Sequence, residues 1–156
     1  MEIRWQCSRL QDLTAAEMHA ILALRQRVFV VEQNCAYQDA DALDLSAWHL
    51  SGRRTDGKLV VYLRINAPGA RFAEATIGRL LTAGAMRGQH LASRALRRAL
   101  RRCAVLYPGQ AIRIAAQTYL VKFYQRFGFH AVGAVYQEDG IDHIDMIRPP
   151  AGEDST

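Results

Sequence analysis

The sequence predicts a mixed α/β domain with antiparallel strands, on three observations. Strand-like runs fill much of residues 48–82, a strongly amphipathic helical pattern starts at Leu91, and strand patterns return around a second short helix and end in a hairpin. A helix set between two strands has the form of a βαβ crossover, whereas strands joined by tight turns pair antiparallel. The 156 residues, half of them apolar, suit one domain with one core. That domain is expected over 1–150, with a flexible tail at 151–156.

Thr14 and Glu17 have the spacing of a capping box, and Met18, Ile21, Leu22, Val28 and Phe29 follow helical spacing behind it. This predicts a first helix over 14–28, with Arg25 breaking the apolar stripe. The next stretch, VVEQNCAYQDADALD, is acidic and rich in short polar residues, and reads as loop. Trp48, His49 and Leu50 open a short strand, Asp56 and Gly57 centre a turn, and Lys58 to Ile65 and Ala75 to Thr82 are two more strands. From Leu91 to residue 105, Leu91, Ala95, Leu96, Ala99 and Cys103 share one face, and arginines fill the other. Ala111 to Ala116 is a strand, and Leu120 to Phe127 a short helix closed by Gly128. Strands at 131–137 and 143–148 flank a hairpin turn at Glu138, Asp139 and Gly140.

Cys7, Cys35 and Cys103 have no paired spacing, which argues for plain thiols over a disulfide framework. The histidines and carboxylates show no compact metal-ligand spacing, so no metal is expected. No apolar run reaches spanning length and no apolar signal segment opens the chain, so no membrane association and a cytoplasmic location are expected. A net charge of +5 favours anionic partners. The arginine face of the long helix lacks interleaved aromatics, so nucleic acid is not expected.

The stretch Arg87, Gly88, Gln89, His90, Leu91, Ala92 is a basic turn feeding a helix N-terminus. Such a terminus has unpaired N–H groups and a positive end, so it can wrap a phosphate. Gly88 allows close backbone approach and Arg87 adds an oxyanion donor. It is neither a Walker A sequence nor a dinucleotide fingerprint, and read alone it also fits an ordinary strand-to-helix turn.

Combined with AQTYLVKFYQRFGF at 116–129, the turn resembles the GNAT superfamily of acyl-CoA N-acyltransferases. Arg87, His90 and Ala92 stand where that family has Arg/Gln, Gly and Gly/Ala, and Tyr124 with Gly128 and Phe129 matches its tyrosine helix. RQRVFVVEQNCAYQDADALD at 25–44, IGRLLTA at 77–83 and VYQEDGIDHIDM at 135–146 extend the likeness to the ElaA-like branch over nearly the whole chain. His90 replaces the usual glycine, Gln117 a frequent Asn and Leu120 a frequent Ala.

The resemblance implies a central, mostly antiparallel sheet splayed at the cofactor site, and transfer of acetyl from acetyl-CoA to an amine within a ternary complex. It implies cofactor binding by Leu80, Leu81 and Thr82 through their backbone, by Arg87, Gly88, Gln89, His90, Leu91 and Ala92 in the turn, and by Gln117. Tyr124 is the expected general acid. Glu74 and His143 are candidate bases, and Glu32 and His49 candidate lining of the acceptor pocket, with Asp39 and Asp41 nearby. The acidic block Glu32, Asp39, Asp41 and Asp44 reads either as an attractor of a cationic amine or as a solvated loop. A non-catalytic acyl-CoA-binding module on the same fold is the alternative reading. The oligomeric state stays open, a homodimer included.

Overall fold

In the computed structural model, which describes residues 1–150, seven strands form two sheets. β1 (Arg4–Arg9), β2 (Trp48–Arg53), β3 (Leu59–Asn66) and β4 (Thr76–Thr82) make an antiparallel sheet in that order. β5 (Ile112–Gln117), β6 (His130–Glu138) and β7 (Ile141–Arg148) make a second, in the order β5-β7-β6. The tail at 151–156 lies outside the described residues.

Every residue of β3 is buried, which explains why its sequence lacks polar alternation: it sits mid-sheet with both faces covered. β1 was not foreseen. None of its residues is fully buried and both its ends are arginine, so it carries no hydrophobic signal.

α1 (Ala15–Arg25) starts at Thr14, whose side chain accepts from the Glu17 N–H while the Glu17 carboxylate accepts from the Thr14 N–H. It then widens into a π-helix, Gln26–Glu32, longer than the helix end expected at 28. A short helix, α2 (Leu43–Ser46), lies within the segment read as loop.

α3 (Leu91–Leu106) buries Leu91, Ala95, Leu96, Ala99 and Cys103 against the core, as its periodicity required. β4, α3 and β5 form the expected crossover. The two parallel strands touch only at one end, where the Arg113 N–H donates to the Ala75 carbonyl at 2.9 Å. Among the described residues no ladder joins them beyond that bridge, and β4's second edge has no strand partner. α4 (Val121–Gln125) follows β5 and stops at Gly128, whose φ of +89° suits glycine.

Candidate functional site

The opening between β4 and β5 leads into a cleft of about 890 Å³. Three features of the chain converge there: the free edge of β4, the N-terminus of α3 and the tyrosine of α4.

β4 is bulged. Arg64 pairs with Gly78 and Tyr62 with Leu81, so Leu63 alone faces both Arg79 and Leu80. Arg79 takes φ +53°, which turns its side chain toward Tyr37, Asp39 and Asp41. Leu80, Leu81 and Thr82 line the cleft beyond the bulge. Leu81 and Thr82 are paired to β3 on one side only, so an extended amide chain can add to the other, as in strand addition.

The turn before α3 has the backbone of an anion cradle. Gly88 has φ +85° and His90 φ +59°. A Cβ built at Gly88 meets nothing within 4 Å, so the space beside it is open. The helix has no side-chain N-cap and no acidic residue in its first turn. The first intrahelical bond is Arg94 N–H to the His90 carbonyl, leaving the Leu91, Ala92 and Ser93 N–H groups as donors. Arg87 and Ala92 line the cleft, whereas Gly88, Gln89, His90 and Leu91 do not. His90 is exposed and does not line the cleft. Its left-handed backbone is one that disfavours a Cβ, a cost a glycine at position 90 would not have.

Tyr124 is buried on the inner wall, with Phe123 and Phe129 at 5.2 and 5.8 Å between ring centres. Burial first, and then the neighbouring Tyr119 phenol, push its pKa well above the ordinary tyrosine range. The phenol therefore stays protonated throughout the neutral range. Tyr119 also lines the cleft but is exposed, and the Tyr136 hydroxyl is engaged outside the cleft, donating to Asp145 at 2.6 Å.

The far end of the cleft is polar. His143 Nδ1 lies 2.7 Å from the Ile141 carbonyl and must carry the proton there, because a carbonyl only accepts. The lone pair of neutral His143 is then on Nε2, 3.8 Å from a Glu138 carboxylate oxygen. The segment after the π-helix spans the cleft. Glu32 accepts from Arg87 at 2.7 Å, Gln33 donates to Gln117 at 3.5 Å, and the Cys35 thiol donates to the Asp139 carbonyl at 3.1 Å.

Two expected site residues are elsewhere. His49 is 1% exposed and does not line the cleft; its Nδ1 is 2.7 Å from the Tyr62 hydroxyl and its Nε2 3.0 Å from the Asp44 carbonyl. It is a satisfied core histidine, and burial holds its pKa below the ordinary value. Glu74 precedes β4 at the end that β5 bridges and likewise does not line the cleft.

Three members of the acidic block are engaged within the fold, whereas Glu32 pairs with Arg87 at the cleft. Asp39, Asp41 and Asp44 interlock with Arg25, Arg64 and Arg79. Arg25 is 0% exposed and grips Asp44 at 2.6 Å and Asp39 at 2.8 Å, which accounts for the break in its helix stripe. This network pins the 37–46 segment to β3 and β4 and forms the wall of the cleft behind Asp41, Arg64 and Arg79. Among the described residues no group of three or more His, Cys, Asp or Glu is placed to hold a metal, and no helix is long and apolar enough to cross a membrane.

Comparison with known proteins agrees with this geometry. Residues 16–148 match the model of the acetyltransferase (GNAT) domain. A UPF0039 protein of Synechocystis is 46% identical over 154 residues, covering 97% of this chain and 100% of that one. The crystal structure of an acyl-CoA N-acyltransferase from Pseudomonas aeruginosa superposes with a TM-score of 0.89 at 42% identity, covering 94% of this chain and 99% of that one. That of Escherichia coli ElaA gives 0.88 at 39%, with the same coverage of 94% and 99%.

Proposed function

The chain belongs to the GNAT superfamily of acetyltransferases, in its ElaA-like branch, and we propose that it carries acetyl from acetyl-CoA directly to an amine held in the same cleft. The observation that carries the reading is the convergence of three groups on one opening: a free strand edge at Leu80 to Thr82, uncapped helix N–H groups beside Arg87, and the protonated phenol of Tyr124.

In this reading the diphosphate of the donor rests on the N–H groups of Leu91, Ala92 and Ser93, with Arg87 and the Gly88 backbone beside it. The pantetheine amides add to the edge of β4, and Gln117 offers a side-chain amide at the end of β5. The thioester then reaches the wall formed by Tyr124.

A neutral amine attacks the thioester carbonyl carbon. The C–N bond forms, the C–S bond breaks, and the Tyr124 O–H delivers its proton to the departing sulfur. The proton shed by the amine goes to His143 Nε2, directly or through a water. The Nδ1–H bond to the Ile141 carbonyl holds that tautomer ready. Acceptor groups meet the polar end of the cleft, where Glu138 and His143 lie, while Glu32 sits beside Arg87 at the turn.

The test is thiol release from acetyl-CoA across a broad amine panel, with calorimetry of CoA in parallel. Turnover with some amine supports the reading. CoA binding without thiol release for any amine would instead favour the non-catalytic module.

A further inference from the structure

A second concavity, of about 370 Å³, lies between β1 and α3 and shares no lining residue with the cleft. Trp5 and Leu50 form one wall, and Arg98, Arg101, Arg102 and Val105 the other. Among the described residues no carboxylate lines it. Elsewhere the chain neutralises its cleft and core arginines: Arg25, Arg64, Arg71, Arg79, Arg87 and Arg113 all have carboxylate partners. Among the described residues the three groove arginines have none.

The groove is also short of hydrogen-bond acceptors. The indole N–H of Trp5 and the Nε–H of Arg102 are buried without a partner. Arg94 and Arg98 lie over the Trp5 ring, at 5.6 and 4.8 Å from its centre, and Arg102 lies over Trp48 at 5.1 Å. Burial, then the cations of Arg101 and Arg94, hold the pKa of Arg98 below that of an ordinary arginine. Buried donors without acceptors and crowded cations without counter-charges are costs that a bound anion would remove.

We infer that the groove between β1 and α3 is a second anion site, separate from the acyl-transfer cleft, and that it takes a small phosphate-rich molecule. Guanidinium forks suit phosphate oxygens, and three of them around one small concavity suit a compact group of several charges. A nucleic-acid strand fits less well, because the ring face it would stack on is already covered by Arg94 and Arg98.

The chain has two tryptophans, and both lie under arginines of this region, so intrinsic fluorescence reads the site directly. Inorganic tripolyphosphate is titrated into the parent and into an Arg87→Ala variant, with sulfate at matched ionic strength as the screening control. A saturable fluorescence change is expected with tripolyphosphate, absent with sulfate and retained in Arg87→Ala, since the Arg87 side chain lines only the other cleft. Arg98→Gln combined with Arg101→Gln, both exposed and outside any ion pair, is expected to weaken it roughly tenfold or more, with an unchanged circular dichroism spectrum. No saturable change at millimolar tripolyphosphate, a change lost in Arg87→Ala, or one that the double variant retains would each overturn the inference. Binding of single-stranded oligonucleotides that tightens with length beyond tripolyphosphate would overturn the small-ligand assignment.

Discussion

The guanidinium of Arg87 lies 2.7 Å from the carboxylate of Glu32, tying the turn before α3 to the end of the π-helix across the mouth of the cleft. Both side chains are partly exposed, so the pair itself contributes little to stability. In the proposed binding mode its consequence lies in affinity, because a diphosphate at the turn would compete with Glu32 for the same guanidinium. Glu32→Gln is therefore expected to tighten CoA binding by about 2- to 5-fold, the equivalent of an exposed ion pair. Arg87→Ala is expected to weaken it roughly tenfold. Calorimetric titration with CoA measures both. Weaker binding by the Glu32 variant would show that the carboxylate supports the turn rather than competing for it.

Tyr124→Phe removes one oxygen from a buried ring and leaves its packing against Phe123 and Phe129 in place. If the phenol protonates the leaving thiolate, turnover falls by about 100-fold or more while CoA affinity stays within about twofold. Steady-state kinetics and calorimetry on the same preparation separate the two. Unchanged turnover would remove Tyr124 from the chemistry.

His90 holds a left-handed conformation at φ +59° with no side-chain hydrogen bond to the helix it precedes. Histidine tolerates this region better than most residues, but glycine pays no steric cost there. His90→Gly is expected to stabilise the fold by about 0.5–1 kcal/mol, a rise of roughly 1–4 °C in Tm. CoA affinity is expected to hold or improve, since the imidazole lies outside the cleft. Differential scanning calorimetry and CoA titration read the two effects. A loss of CoA affinity would mean that the imidazole itself contacts the ligand.

Periodicity made α3 legible, because its apolar face and arginine face differ at every turn. The capping box at Thr14 and the hairpin at Asp139 and Gly140, both at positive φ, were legible as local chemistry. Tyr124 became a site residue through family likeness, since its spacing alone equally describes a packed aromatic. The ion-pair network was not legible: Arg25 and Asp44 are far apart in sequence, and their neighbours give no sign that they meet. Arg25 interrupting an apolar stripe was the one available signal. His49 misled because an imidazole looks alike in a core and in a site until its two hydrogen bonds are seen. The bulge at Arg79 left no mark either, since it needs an unusual φ at a residue that ordinarily avoids it.

Asp44 accepts from both Arg25 and Arg64, whose side chains are almost wholly buried. Burial alone would raise its pKa, but the hydrogen bonds and charge of Arg25, with help from Arg64, outweigh it and hold the carboxyl below the ordinary aspartate value. Asp41 is shifted the same way: burial opposes, and Arg64 and Arg79 prevail. A carboxyl with a depressed folded pKa contributes stability that is present above its unfolded value, about 4, and lost as pH falls through the folded one. The protein is therefore expected to lose stability as pH drops below about 4. Asp44→Asn leaves two buried guanidiniums short of charge and is expected to cost about 3–5 kcal/mol at neutral pH. The same variant should show a shallower fall in stability with acid, because one of the titrating groups is gone. Urea unfolding from neutral pH down to about pH 3 tests this. An Asp44→Asn variant as stable as the parent, with an unchanged acid profile, would mean that Asp39 and Asp41 alone satisfy the buried arginines.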